Sequence, residues 1–214
     1  MFNFDLKTIL FRAIILVIAF TVHEYMHAYV AFRLGDTTAR DAGRLTLNPL
    51  VHLDIFGSLM LLLVGFGWAK PVPVDPYALR RRTPAGLMLV SVAGPLSNLV
   101  LAILGGLIVR LFIAFRLSFI PPMWLLEFIN QFIIVNIMLF LFNLIPIAPL
   151  DGDKVLEYAI PDSWQAGFQK FRQYGPIILM VIMISGRFTK VSLFGLLLEG
   201  PMSKIYQLLT GIPF

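Results

Sequence analysis

Cysteine is absent from the chain, which excludes disulfides, thiol nucleophiles and cysteine-based zinc sites. Charge is scarce: 14% of the 214 residues are Asp, Glu, Lys or Arg, against about 25% in an ordinary soluble domain. Histidine occurs at only three positions, 23, 27 and 52. No stretch reads as a low-complexity linker, a tandem repeat or an appended soluble module. What fills the sequence is apolar: 58% of residues are hydrophobic and the mean hydropathy is +0.85. These values define a polytopic membrane protein with room for one membrane domain, read here as 1–214.

The net charge of +5 comes from 17 Lys and Arg against 12 acidic residues. In a membrane protein that excess reflects loops facing the cytoplasm and anionic lipid headgroups, and it implies no nucleic-acid partner. Arg80-Arg81-Arg82, the one basic cluster, reads as a juxtamembrane anchor. The first apolar run is not read as a signal peptide, because HEYMHAYVAF follows where small residues would mark a cleavage site.

The expected architecture is all-α, with about five to six membrane segments, a short membrane-associated extended segment and a broken helix. A first helix runs from about residue 7 to Leu34, stopped by Gly35. Residues 35–54 are polar and turn-rich and belong at a membrane face. Residues 55–67 are apolar but short of the ~20 that a spanning helix needs, so they read as re-entrant or half-buried. In WAKPVPVDP the prolines and β-branched residues favour an extended edge. A second helix covers about 86–109 and a third about 123–145, before Pro146 and Pro149 break the chain ahead of Asp151-Gly152-Asp153. Unwound backbone at membrane depth survives only where protein buries it or a wet cavity receives it. Beyond residue 155, the C-terminal membrane segments (about 170–210) read either as two short spans or as one broken span.

The most informative stretch is His23-Glu24-Tyr25-Met26-His27, directly behind the uncharged AIILVIAFTV. On a helix the two histidines project from one face and can hold one metal ion, with Glu24 beside that face in reach of a metal-bound water. HExxH on a helix is the zinc-protease pattern, with the glutamate as general base. Ionisable groups inside an apolar helix cost about 2.5–3.5 kcal/mol each on insertion scales, so they call for a functional explanation. The bland alternative is a pair of hydrogen-bonded core histidines, with Glu24 lining a polar cavity or pairing with Arg33. A catalytic zinc takes a third protein ligand. His52, Asp54, Asp151 and Asp153 are the candidates; Asp151 is favoured because Gly152 lets the backbone turn and approach closely. Its bland alternative is an N-cap for a helix starting near Lys154. Asn98, in AGPLSN, and Asn143 can each be simple interhelical hydrogen-bonders.

Topology gives a separate test. If residues 55–67 return to the side they left, the C-terminal ends of helices one and three share a membrane face. HEYMH then lies roughly 9–15 Å below that face. The shared face carries Arg33, Arg40, Arg44, Lys70, Arg80, Arg81, Arg82, Lys154, Lys170 and Arg172, against Lys7, Arg12, Arg110 and Arg116, with Arg187 and Lys190, on the opposite face, a bias that makes the shared face cytoplasmic by the positive-inside rule.

Taken in order, HEYMHAYVA, GRLTLNPLVHLDIFG, FGWAKPVPV, AGPLSNL and FNLIPIAPLDG resemble the site-2 protease family, the intramembrane zinc metalloproteases, in its compact prokaryotic form without PDZ or CBS modules. The resemblance covers most of residues 20–155 and leaves 160–214 uncovered. It implies zinc held one per chain by His23, His27 and Asp151, with Glu24 as catalytic base. It further implies that Asn98 and Asn143 help position substrate or steady an oxyanion. The implied partners are transmembrane protein substrates and the lipid bilayer of a prokaryotic inner membrane. Ala148 departs from the proline common in close relatives. Two other classes compete: a metal transporter or sensor, and an inactive scaffold. A transporter usually needs more ionisable stations than helices two and three supply, and a scaffold has no need of the complete His, Glu, His and Asp set.

Overall fold

Helix α1 (Leu6–Arg33) turns the first apolar run into 28 residues of unbroken helix. This computed structural model describes residues 6–57, 60, 67–115, 122–188 and 192–214. After α1 come the short α2 (Thr38–Asp41), a 3-10 turn at Pro49–Val51 and α3 (Pro76–Arg82). The long helices α4 (Gly86–Ala114) and α5 (Met123–Asn143) follow, then α6 (Gly152–Ala159), α7 (Asp162–Gln173), α8 (Gly175–Phe188) and α9 (Leu193–Thr210).

Among the described residues, α1, α4 and α5 are the three helices long and apolar enough to cross a membrane. The shorter α8 is apolar over Gly175–Ser185, and α9 carries Pro201 inside it. The C-terminal region, open between two spans and one, thus holds two separate helices. Most of 58–66, part of the stretch expected to be re-entrant, lies outside the described residues. The expected extended edge forms no strand among the described residues; its one sheet-like contact is an antiparallel bridge between Leu53 and Ala69. Two prolines, 71 and 73, remove backbone donors from that segment, which limits any ladder there.

Helix α4 lies between α1 and α5 and runs opposite to both. Its N-terminal half meets the C-terminal half of α1, where His27 reaches the carbonyl of Val90. Further along α4, Asn98 meets Asn136 of α5, and Gly105 meets Ile133. Helices α1 and α5 are therefore parallel, and at their shared N-terminal side Lys7 pairs with Glu127 while Phe11 meets Phe128 edge-on at 5.3 Å. Small residues allow this closeness: Ala93, Gly94, Ala102, Gly105 and Gly106 of α4 are all buried. Between lipid-facing helices, van der Waals contact and interhelical hydrogen bonds do the work that water expulsion does elsewhere. Ala102, Ile129, Ile133, Ile137 and Tyr206 form the main core where α9 joins α4 and α5. Arg110 clamps that joint, donating to the carbonyls of Leu208 (2.6 Å) and Leu209 (2.7 Å) near the C-terminal end of α9. On the outer face of α4, Leu96, Val100, Ile103, Leu104 and Leu107 are exposed at helical spacing, as a lipid-contacting row requires.

The polar loop after α1 is built as a bracket for residues 67–75. Asp36 accepts from the backbone of Thr38 (2.9 Å) and of Asp75 (2.7 Å). The buried Arg44 guanidinium donates to the carbonyls of Lys70 (2.5 Å) and Pro71 (3.1 Å), and the Lys70 amide donates to His52 O at 2.8 Å.

Candidate metal centre

The i,i+4 spacing of HEYMH on α1 stacks the two histidines one turn apart, and their Nε2 atoms stand 3.0 Å from each other. The Nδ1 edges point away, into the helix bundle. His27 Nδ1 is 2.7 Å from the carbonyl oxygen of Val90, and His23 Nδ1 is 2.7 Å from Asn98 Oδ1. A carbonyl oxygen only accepts, so His27 carries its proton on Nδ1 and leaves the Nε2 lone pair free.

The broken stretch after α5 brings the third group. Asp151 Oδ2 lies 3.2 Å from His23 Nε2 and 3.3 Å from His27 Nε2. Asp151 occupies the N-cap position of α6, yet its side chain makes no capping hydrogen bond. Its carboxylate faces the histidines instead. Gly152 serves close approach and not a sharp turn: a Cβ there would strike the carbonyl oxygens of Leu144 and Ile145. Burial works against the charge on Asp151, but the neighbouring imidazoles of His27 and His23 outweigh it and hold the carboxyl below the usual carboxylate range.

The remaining candidates have other partners. Asp153 is buried and pairs with Lys154 (2.7 Å) and Arg172 (2.7 Å). His52, fully buried, has its Nε2 2.7 Å from Thr46 O. Asp54 accepts from the Gly57 amide at 2.7 Å. Among the described residues, His23, His27 and Asp151 form the one cluster of three or more metal-ligating side chains, with donor atoms within 4.8 Å of one another.

A cavity of about 660 Å³ opens onto this cluster. His23, Glu24, His27, Asn143 and Asp151 line it, as do Trp68 and Val72 of the bracketed segment. Glu24 is 8% exposed and, among the described residues, its carboxylate makes no hydrogen bond or ion pair, so its lone pairs are free toward the cavity. The alternative pairing with Arg33 is not formed; Arg33 donates to Tyr29. Asn143 keeps its amide oxygen available while its Nδ2 donates to Leu139 O at 3.0 Å. Asn98 is different: it is fully buried, faces His23 and does not line the cavity. Arg44 is a further cation in this region; burial pushes its guanidinium below its ordinary value, and the charge of Glu24 opposes that shift.

The site roles of three residues were not visible in the sequence, although Gly94 stands in a motif whose small residues favour close helix packing. Gly94 sits where the imidazoles press on α4: a Cβ there would overlap ring atoms of both His27 and His23. Asn136 holds Asn98, and its signal was an amide inside the apolar run FIIVNIMLF. Arg44 had no signal beyond its charge.

The donor set fits zinc. Two imidazole nitrogens and one carboxylate oxygen are borderline ligands of the kind zinc takes, and three protein ligands leave a fourth position for water. Two buried histidines and a half-buried aspartate able to hold a metal, with an uncommitted carboxylate beside them, match the arrangement of a metallohydrolase.

Comparison with known proteins agrees. The sequence model of Peptidase family M50 matches residues 120–186. Over 184 residues the chain is 41% identical to "Putative zinc metalloprotease YwhC" of Bacillus subtilis, covering 85% of this chain and 84% of that protein. It is 32% identical over 171 residues to "Putative zinc metalloprotease Rip2" of Mycolicibacterium smegmatis, covering 77% of this chain and 62% of that protein. The similarity to "Putative zinc metalloprotease MJ0611" of Methanocaldococcus jannaschii is 31% over 157 residues, 73% of this chain and 74% of that one. The chain thus spans less than two thirds of the length of the mycobacterial relative. No solved structure matches it significantly. The chain belongs to peptidase family M50. It is a metalloprotease, and its cofactor is zinc.

Proposed function

We propose that this protein is an intramembrane protease, cutting transmembrane segments of membrane proteins at a zinc held by His23, His27 and Asp151. The observation that carries the reading is an uncommitted buried carboxylate, Glu24, beside a three-ligand cluster inside apolar helices. Zinc, when bound, supplies Lewis-acid activation of water and of the scissile carbonyl. Glu24 takes the proton from the attacking water and passes it to the departing amide nitrogen, so it ends the cycle as it began. Asn143 faces the cavity with a free amide oxygen and serves to hold substrate backbone there. A transmembrane helix must unwind to offer a peptide bond, and the bracketed segment 67–75 is the extended backbone available to receive it.

The site lies toward the C-terminal ends of α1 and α5. Arg33, Arg40, Arg44, Lys70, Arg80, Arg81, Arg82, Lys154, Lys170 and Arg172 gather on the segments at that end, against Lys7, Arg12 and Arg110 at the other. That bias makes the site's side cytoplasmic in a prokaryotic cell membrane. The test is proteolysis of single-span substrates in proteoliposomes by wild type and Glu24→Gln at equal zinc content. The expected result is cleavage by wild type, stopped by chelator and restored by zinc, with the variant slower by about 10²–10⁴-fold or inactive. Equal activity in both proteins contradicts the role of Glu24. Zinc bound by both with no cleavage by either turns the reading toward a metal-transporting or scaffold protein.

A further inference from the structure

We infer that Asn98 and Asn136 are positioning residues of the metal centre, a relay of two buried amides that fixes His23 with its Nε2 lone pair toward Asp151. The inference rests on the zinc-site reading above. Each amide's orientation follows from a group that can only accept. Asn136 Nδ2 donates to Phe132 O at 2.8 Å, so its Oδ1 faces the opposite way, toward α4. There it accepts from Asn98 Nδ2 at 3.1 Å. The same Nδ2 faces a second acceptor, the carbonyl of Ala19 on α1, at 3.3 Å. With both protons of that amide directed to acceptors, Asn98 presents its oxygen to His23 Nδ1 at 2.7 Å. That oxygen requires a proton on Nδ1, which leaves Nε2 as the lone-pair nitrogen.

Flipping Asn98 would set its NH₂ against His23 Nδ1, move the ring proton to Nε2 and block the ligand. It would also turn Asn98 Oδ1 toward two other oxygens. Asn136 disfavours the flip from a third helix. His27 needs no relay, since the Val90 carbonyl fixes it directly. Both asparagines are fully buried, and in an apolar bundle such groups are costly unless every donor finds a partner. Outer partners that orient a ligating histidine typically matter by about 10–100-fold in metal affinity.

The competing role for both residues is interhelical adhesion alone. Zinc affinity, measured by chelator competition on the purified full chain in detergent, separates the two. Asn98→Ala is expected to weaken zinc by about 10–100-fold. It should also release His23 from the Nδ1–H tautomer in the zinc-free chain, read by histidine ring ¹⁵N shifts, which a loss of adhesion alone would not move. Asn136→Leu, close in volume and suited to an apolar helix, is expected to weaken zinc by about 3–10-fold. Because Asn136 acts through Asn98, the double variant Asn98→Ala/Asn136→Leu should bind zinc no worse than Asn98→Ala alone. The relay is overturned if Asn136→Leu binds zinc like wild type or if the two losses multiply. If wild type binds zinc and every variant matches it, this inference alone fails; if wild type binds none, the metal centre fails with it.

Discussion

The two histidines and the aspartate reach the same point by opposite routes. His23 and His27 sit inside one unbroken helix, and their partners are neutral: the Asn98 amide and the Val90 carbonyl. Asp151 arrives on a broken stretch, and the elements behind it are tied by charge. Asp153 pairs with Lys154 and Arg172, Arg172 also reaches Glu157 at 3.1 Å, and Arg80 of α3 reaches Glu157 at 3.0 Å. The difference follows from depth. Within an apolar bundle, neutral hydrogen bonds orient a side chain without the desolvation cost that an ion pair carries. Toward the membrane face, charged side chains can anchor an irregular segment while part of the network stays wet. Asp153 is 1% exposed, whereas the Arg80 side chain is 57% exposed.

The largest effects should come from the helix route. His23→Ala or His27→Ala removes a proposed zinc ligand, and zinc content, read by metal analysis of the purified chain, should fall to near zero, with loss of all proteolysis. Retained stoichiometric zinc would break the comparison at its root. Next is Gly94→Ala, whose Cβ must displace both imidazoles. Overpacking of this kind costs about 1–3 kcal/mol, and here it should appear as a lower melting temperature together with weakened zinc.

The aspartate route should be softer. Arg172→Met removes one of two cations from a buried carboxylate while Lys154 remains, for an expected loss of about 1–3 kcal/mol in denaturant unfolding. Zinc should then bind more weakly, with the histidine contribution intact. Smallest is Arg80→Ala, which breaks a pair that is largely solvent-exposed at Arg80; about 0–1 kcal/mol is expected, shrinking further at high salt. A larger effect from Arg80 than from Arg172 would reverse the assigned gradient from wet to buried charge.

The same two routes explain what could be read from the sequence. The histidine pair was legible because its geometry is local: four residues on a helix fix one face. The three long helices were legible from apolar runs, and their ends fell within a few residues of those observed. Asp151 was favoured through Gly152 and through the motif it shares with the family, but spacing alone left it evenly balanced against an N-cap role, because its meeting with α1 depends on how a chain 124 residues further on is folded back. The Pro146 and Pro149 break marked where that return begins, but not which carboxylate faced inward. Asp153, two residues away and the weaker candidate, is committed to Lys154 and Arg172. The role of Gly94 was hidden for the same reason. Its neighbours are imidazoles on another helix, and no local pattern encodes that contact. Asn98 drew notice through its motif, and only the packing of α1, α4 and α5 turned its amide toward His23.

Zinc K-edge X-ray absorption on the purified wild type and on Asp151→Ala tests the meeting of the two routes most directly. The account predicts two imidazole nitrogens and a carboxylate oxygen in the wild-type shell, with Zn–N near ~2.0–2.1 Å, and loss of the protein oxygen in the variant while both imidazoles persist. A shell unchanged by Asp151→Ala, or one holding fewer than two imidazoles in the wild type, would contradict it.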